Sequence, residues 1–266
     1  MERPHSGGHF AQLYQSDGEL TENVGSYVAE GLRGGEAAVL IATPEHLELF
    51  SHRLGRLGFE TPSLLASGRL IFCDAAGTLS RFMRRRWPDA HLFEATVKRV
   101  IGHRKGLQPG YGLRAYGEMV GILWKTRQFA AAARLEQLWN RLLGKSCFSL
   151  NCAYDIDVFG TDLPLASLDH VLCTHSHLIP AQSNRHLEVA LRRPMDEILG
   201  PDSDAYRLLR GASYPSSGTV MPDSTATVLW LRNHMPANAR EILQRSRYYY
   251  ELQKLASAVG GNSTCL

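Results

Sequence analysis

Two sets of side chains in this 266-residue sequence have the types and spacing to do chemistry. The first is the run Cys173-Thr174-His175-Ser176-His177. On a strand, alternation puts His175 and His177 on one face with Cys173, so a thiol and two imidazoles converge as ligands for zinc or a similar metal. The spacing matches no zinc knuckle, and no second Cys-x-x-Cys half accompanies it. A histidine pair that bonds backbone groups is the commoner use of such a segment. The expectation is therefore no metal, with Cys173, His175 and His177 as the alternative. The second set is dispersed: Tyr14, Thr43, Asp74, Tyr116, Glu118, Asn151 and Tyr154 all fall near the ends of predicted strands. Three tyrosines among a few polar groups suit a small, mostly apolar organic ligand, with the hydroxyls and the amide fixing its orientation. The competing account makes the tyrosines core edges and lets Glu118 or Asp74 cap a helix. Spacing supports neither a Glu118–Asp74 catalytic pair nor Cys152 activated by a histidine, so no catalytic residue and no cofactor is expected. Arg84-Arg85-Arg86 reads as the solvated basic end of a short helix over 77–86.

The strands that carry these residues are organised around Gly35 to Ala75. Glu36 to Ala42 is an apolar run that suits a strand buried on both faces. Thr43-Pro44-Glu45 then supplies an N-cap, a proline at the first helical position and an acid in the first turn. Leu47, Phe50, Leu54 and Leu57 follow at near-helical spacing, and Gly58 ends the helix. Leu70 to Cys73 is the next strand. Strand, helix and strand at this spacing form a right-handed βαβ unit, so the two strands are parallel. Upstream, His9 to Tyr14 reads as a strand, and Ser16 with Glu19 as a capping box for a helix closed by Gly34-Gly35. Downstream come a helix begun at Pro88-Asp89, a strand over 110–119, an amphipathic helix over 127–143 and a buried strand over 147–154. The alternation predicts an α/β fold with an open, mainly parallel sheet and helices on both faces. Beyond about residue 180 the chain becomes helical, with a helix over 181–199 interrupted by Pro194, a turn-rich stretch over 211–224, and a long helix over 236–259. Ile242, Tyr249, Leu252, Ala256 and Val259 mark a seam on that last helix, which fits either a coiled coil with a second copy or docking on its own domain.

Bulk properties narrow the function classes. Hydrophobic residues make up 44% and charged residues 21%, as in an ordinary globular domain, and a net charge of +3 gives no case for binding nucleic acid. No stretch has the roughly 20 apolar residues of a membrane span, and the N-terminus lacks an apolar signal region. Five cysteines without Cys-x-x-Cys spacing suit reduced, buried thiols in the cytoplasm.

The stretches HFAQLYQSDGELTENVGSYVAEGLRGGEAAVLIATPEHLELF, GRLIFCDAAGTLSRFM, LRAYGEMVGILW, LEQLWNRLL, FSLNCAYD and CTHSHLIPAQS, taken together and in this order, resemble the MEDS domain family. That sensory domain is named for methanogens, methylotrophs and the dichloromethane-dehalogenase repressor, and the resemblance covers about residues 9–185. It implies a signal-input domain that recognises small hydrocarbon-derived ligands, often attached to a DNA-binding or histidine-kinase module. The family in turn resembles P-loop ATPases of the KaiC and RecA type, which implies a three-layer sandwich and places residues 15–23 where a Walker A loop lies. Those residues read QSDGELTEN, with one glycine, no lysine and three acids (Asp17, Glu19, Glu22) that repel a triphosphate. The Gly144-Lys145-Ser146 tripeptide lies between a helix and a strand, the reverse of a P-loop. The expectation is a cytoplasmic, non-catalytic sensory domain over 1–180 with a helical extension over 181–266. It would bind a small organic molecule and pass its state to a partner protein or to a second copy, without touching membrane or nucleic acid. The alternatives are an atypical nucleotide-binding protein or ATPase, and a metal protein or enzyme built on Cys173, His175 and His177.

Overall fold

The computed structural model describes residues 8–102, 112–145, 148–160, 164–179, 184–201, 203 and 223–260. These divide into two compact units. One runs to Ile156 and takes in His170–Ile179, and the other comprises Asp157–Asp169 and the described residues after Ile179.

The first unit is a six-stranded parallel sheet between helices. Its strands are β1 (His9–Tyr14), β2 (Ala37–Ala42), β3 (Leu70–Asp74), β6 (Leu113–Gly117), β7 (Ser149–Asp155) and the short β8 (His177–Leu178), in the order β3-β2-β6-β7-β1-β8. Between β1 and β2 runs α1 (Asp17–Arg33). Helices α2 (Pro44–Arg56) and α3 (Thr61–Ala66) lead to β3, α4 (Ala75–Ser80) and α5 (Ala90–Gly102) lead to β6, and α6 (Met119–Lys125) and α7 (Phe129–Leu143) lead to β7. All six residues of β2 are buried, which explains why that run alternates no polar residue. Ala38, Leu40 and Ala42 point to a cluster with Leu20, Val24 and Val28 of α1 and Phe50 and Leu54 of α2. Each fully buried Leu or Phe there contributes about 1.5–3 kcal/mol over leaving it in water. Val39 and Ile41 point to the opposite face. On that side Phe82, Phe93 and Trp139 pack edge to face at ring separations of 5.3 and 4.9 Å. The result is a three-layer α/β sandwich, as the alternation of strands and helices requires.

The punctuation residues act as their chemistry dictates. Ser16 Oγ accepts from the Glu19 amide, and Thr43 Oγ1 accepts from the His46 amide. Gly35 and Gly58 follow α1 and α2 with φ of 85° and 88°, and Schellman pairings close both ends: Glu36 N to Gly31 O at 2.9 Å, Phe59 N to Leu54 O at 3.0 Å.

Three local expectations are corrected. The basic stretch does not extend α4. Asp74 caps that helix through the Gly77 amide, the helix stops at Ser80, and β4 (Met83–Arg84) pairs with β5 (Trp87–Pro88) in a tiny antiparallel hairpin. Arg85 and Arg86 form its turn with φ of 47° and 66°, a primed-turn backbone that suits hairpin twist but disguises itself in a basic run. The Cys173–His177 run is not a strand either. Leu165–Thr174 is helix α8, because Leu168, Val171 and Leu172 form a buried helical stripe, and only His177–Leu178 is strand. Finally, Pro194 does not interrupt α9 (Asn184–Leu199).

That helix belongs to the second unit, with α10 (Asp223–His234) and α11 (Pro236–Gly260). Leu187, Leu191 and Met195 of α9 are buried, as are Val228, Leu229 and Leu231 of α10 and Ile242, Leu243 and Tyr250 of α11. Packing of this kind outweighs the cost of about 3 kcal/mol that a proline imposes inside a helix. The expected seam of α11 does not lie on one face, since Ile242 is buried while Leu252 is exposed. Arg245 instead pairs with Glu197 at 3.0 Å. The turn-rich stretch over 211–224 lies, up to residue 222, outside the described residues. Eleven helices occur among the described residues, and none is long and apolar enough to cross a membrane.

Candidate functional site

Because the sheet is parallel, the carboxyl ends of all its strands share one edge. The connection from β2 leaves toward the α1–α2 face and that from β6 toward the opposite face. A crevice opens where neighbouring strands diverge in this way. Thr43 and Glu118, the residues just beyond β2 and β6, sit at that point. Glu118 is 4% exposed. Its Oε2 accepts from the Thr43 amide at 2.9 Å, while Oε1 accepts from the Tyr116 hydroxyl at 2.8 Å and pairs with His46 Nδ1 at 2.7 Å. On the far side of the ring, His46 Nε2 stands 3.3 Å from Asp17 Oδ1 at the start of α1. A hydrogen-bonded chain thus runs from the exposed Asp17 through His46 to Glu118 and the buried Tyr116. Tyr14 joins it by an edge-on contact with His46, at a ring separation of 6.4 Å.

The electrostatics follow from this geometry. The hydrogen bond to Glu118 raises the His46 pKa above its usual value, against the opposing effect of burial, and Asp17 adds to the rise. Burial, then the Glu118 carboxylate, pushes the Tyr116 and Tyr14 hydroxyls up, so both remain protonated. The chain holds a proton between two carboxylates and offers a hydrogen-bonding wall.

Beside it, beneath α1, lies a second polar patch. Tyr116 is in register with Asn151 of β7, and Phe10 of β1 with Asn151, which puts Gln12 and Asn151 on the α1 side of the sheet. Both are fully buried, and the Asn151 amide reaches Gln12 Oε1 at only 3.5 Å. Among the described residues Gln12 Nε2 and Asn151 Oδ1 have no hydrogen-bond partner, nor do the Tyr27 hydroxyl and Asn23 Nδ2 of α1.

The opposite face carries a third group. His9, Glu136, Cys152 and His175 are all buried, and one ligand atom from each lies within 4.8 Å of the others. His9 Nε2 is 3.2 Å from Glu136 Oε2 and 3.4 Å from Cys152 Sγ, and His175 Nε2 is 3.4 Å from Glu136 Oε1. The Tyr154 hydroxyl donates to Glu136 Oε1. Burial pushes the Glu136 carboxyl up, but His175 and His9 more than offset it and hold it below the carboxylate range.

Of the seven strand-end residues, the structure brings Tyr14, Thr43, Tyr116 and Glu118 into one network, with Asn151 adjoining it. Asp74 caps α4, and Tyr154 points to the other face, into the His9–Glu136 group. The run Cys173, His175 and His177 does not converge: Cys173 and His177 are exposed, and only His175 turns inward. Of the cysteines, Cys73 is half-buried and Cys152 buried, while Cys147 and Cys265 lie outside the described residues. Sequence reasoning missed His46, Asp17, Gln12 and Glu136. Glu136 carried a signal, because it interrupts the inward stripe of Leu135, Leu138, Trp139 and Leu142 on α7 with an acid.

The second unit holds a cavity of about 760 Å³ lined by Asp157, Phe159, Arg232, Arg240, Leu243 and Arg247 among others. Arg232 donates to the Val158 carbonyl, and its Nε has no partner among the described residues.

No curated protein matches the sequence. Residues 8–176 do match the family profile of MEDS, the methanogen/methylotroph, DcmR sensory domain, a span that runs from the start of β1 to the approach of β8 and includes both the strand-end network and the buried His–Glu–Cys group, so the chain belongs to the MEDS family of sensory domains.

Proposed function

We propose that this chain is a cytoplasmic signal-input module that binds a small organic molecule on the α1 side of its sheet and acts without catalysis. One observation carries the reading. Gln12 and Asn151 are fully buried yet present an N–H donor and a C=O acceptor that no group among the described residues takes. An unpaired buried group of this kind costs about 1–3 kcal/mol, and a ligand that accepts from one amide and donates to the other would recover it. Tyr116 and Tyr27 supply aromatic walls nearby, suited to a compact ligand of low charge.

The same features speak against triphosphate. At the start of α1, where a phosphate loop would cradle its ligand, Ser16 already takes the Glu19 amide and Glu19 takes the Gln15 amide at 3.4 Å. Asp17 adds an exposed negative charge there. We read the scaffold as one of ATPase type whose phosphate loop has degenerated. For output, Tyr248, Leu252 and Leu255 of α11 are 63%, 45% and 64% exposed at helical spacing. That apolar stripe supports transmission through the C-terminal helices to a partner protein or a second copy. A ligand shifts such a contact only by favouring one arrangement over the other.

A second reading rests on the 760 Å³ cavity, whose arginines suit an organic anion. Mass spectrometry of the purified chain, with a thermal-shift panel of short alcohols, amides, halogenated methanes, small carboxylates and ATP–Mg²⁺, separates the readings. Stabilisation by a neutral organic that is lost in Asn151→Leu supports the proposal. Stabilisation by carboxylates that is lost in Arg240→Ala favours the second. Strong stabilisation by ATP–Mg²⁺, or none by any neutral compound, refutes the proposal.

A further inference from the structure

We propose that His9, Glu136, Cys152 and His175 bind one divalent transition-metal ion, zinc by their donor chemistry, on the face of the sheet covered by α7. The site is independent of the ligand reading above, since it uses the opposite side of β1 and β7.

The case begins with protons. His9 Nδ1 is 2.8 Å from Asn140 Oδ1, and the Asn140 amide nitrogen donates to the Thr174 carbonyl at 2.8 Å. The Asn140 oxygen must therefore accept, and His9 must carry its proton on Nδ1. His175 Nδ1 is 2.7 Å from the Val171 carbonyl, which can only accept, so this ring is also protonated on Nδ1. In the neutral form of each ring the Nε2 lone pair faces Glu136, at 3.2 and 3.4 Å. Two lone pairs aimed at one carboxylate repel unless a cation lies between them. Histidine ligands to metals show the same arrangement, with the second ring nitrogen donating to a carbonyl or amide that fixes tautomer and orientation.

Geometry agrees. Bonds of about 2.0–2.1 Å to nitrogen or oxygen and about 2.3 Å to sulfur, set tetrahedrally, give ligand–ligand edges of roughly 3.3–3.6 Å. With Glu136 Oε2 as the ligand, three edges are 3.2 Å (His9–Glu136), 3.4 Å (His9–Cys152) and 3.6 Å (Cys152–Glu136), while His175 Nε2 stands 3.4 Å from the other carboxylate oxygen, Oε1, in a group whose four ligand atoms lie within 4.8 Å of one another. The Tyr154 hydroxyl bonds Glu136 Oε1 and leaves Oε2 for the ion. Charge agrees as well. A divalent cation with one carboxylate, one thiolate and two neutral imidazoles sums to zero, which a dry core tolerates. The protons alone would have to place imidazolium there instead. All four positions are filled by protein, so the site is of the closed, structural kind. It ties β1, β7, α7 and the segment after α8 together at residues far apart in sequence.

The test uses the full chain purified without a histidine tag. Elemental analysis should find about one zinc per chain, and chelation should lower the thermal midpoint reversibly. Cobalt added to the stripped protein should give tetrahedral visible bands and a near-ultraviolet thiolate band. Cys152→Ser should abolish the thiolate band and weaken cobalt binding roughly a hundredfold, whereas Cys173→Ser, at the exposed thiol, should change neither. Should Cys152→Ser fail to fold, the chelation and cobalt spectra of the unaltered chain still decide. Metal below about a tenth of the chain concentration, with no cobalt bands after stripping, overturns the proposal. So does a thiolate band that follows Cys173 instead of Cys152.

Discussion

Replacing Glu118 tests the strand-end network most directly. In Glu118→Ala three donors lose their acceptor: the Tyr116 hydroxyl, the Thr43 amide and the His46 ring. Tyr116 is fully buried, so its hydroxyl cannot turn to water and is left unsatisfied at about 1–3 kcal/mol. Thr43 and His46 are half-buried and regain water, at a net loss of about 0.5–1.5 kcal/mol each. The total is about 2–6 kcal/mol, or roughly 4–24 °C in thermal midpoint for a domain of this size. Glu118→Gln keeps a carbonyl oxygen for two of the donors but sets an NH₂ against the third, at about 1–2 kcal/mol. The glutamine variant also has a pH signature. Glu118 raises the His46 pKa above its ordinary 6.5, so this contribution is fully present below that value and is lost as pH rises through the raised one. The margin of the unaltered protein over Glu118→Gln should therefore be widest near about pH 5.5 and narrow toward about pH 8.5. Urea denaturation of the three proteins across that range provides the measurement. A margin independent of pH, or an alanine cost under about 1 kcal/mol, would refute the network as described.

Two packing predictions accompany it. A methyl group at Gly121 would meet the Ala153 carbonyl oxygen at 2.6 Å, so Gly121→Ala should cost about 1–3 kcal/mol by denaturant titration. No atom of the described residues lies within 4 Å of the corresponding position at Gly18, so Gly18→Ala should leave stability unchanged or raise it by up to about 1 kcal/mol. Arg114, 5% exposed, donates to Glu36 at 2.6 Å, Glu30 at 3.0 Å and the Tyr27 carbonyl at 2.9 Å. Arg114→Lys, with a point charge in place of a planar fork, should lose about 1–3 kcal/mol in thermal denaturation, and full stability in that variant would discount the geometry.

The sheet was legible in the sequence because its signals are local. A six-residue apolar run between a turn glycine and a helix cap suits a strand buried on both faces, and Thr43-Pro44 or Gly58 act on the backbone next to them. The errors have local causes too. The arginine run masked a two-residue turn, and the alternating letters of Cys173 to His177 imitated a strand although the preceding Leu168, Val171 and Leu172 already set a helical stripe. Pro194 misled because its cost is local while the packing of α9 is not.

The sequence by itself determined the strands, their parallel sense, the caps of the first two helices and the family to which the chain belongs. Tertiary structure alone decided which polar residues meet. His9 and Glu136 are 127 positions apart, and His46 and Glu118 are 72 apart, yet each pair is in contact. No period or spacing encodes such an encounter, because it depends on strand order and on which face of its element each side chain takes. A strand shows one residue to each face in turn, so Asn151 and Tyr154, close in sequence and alike in polarity, end on opposite sides of the sheet, one against Gln12 and the other against Glu136.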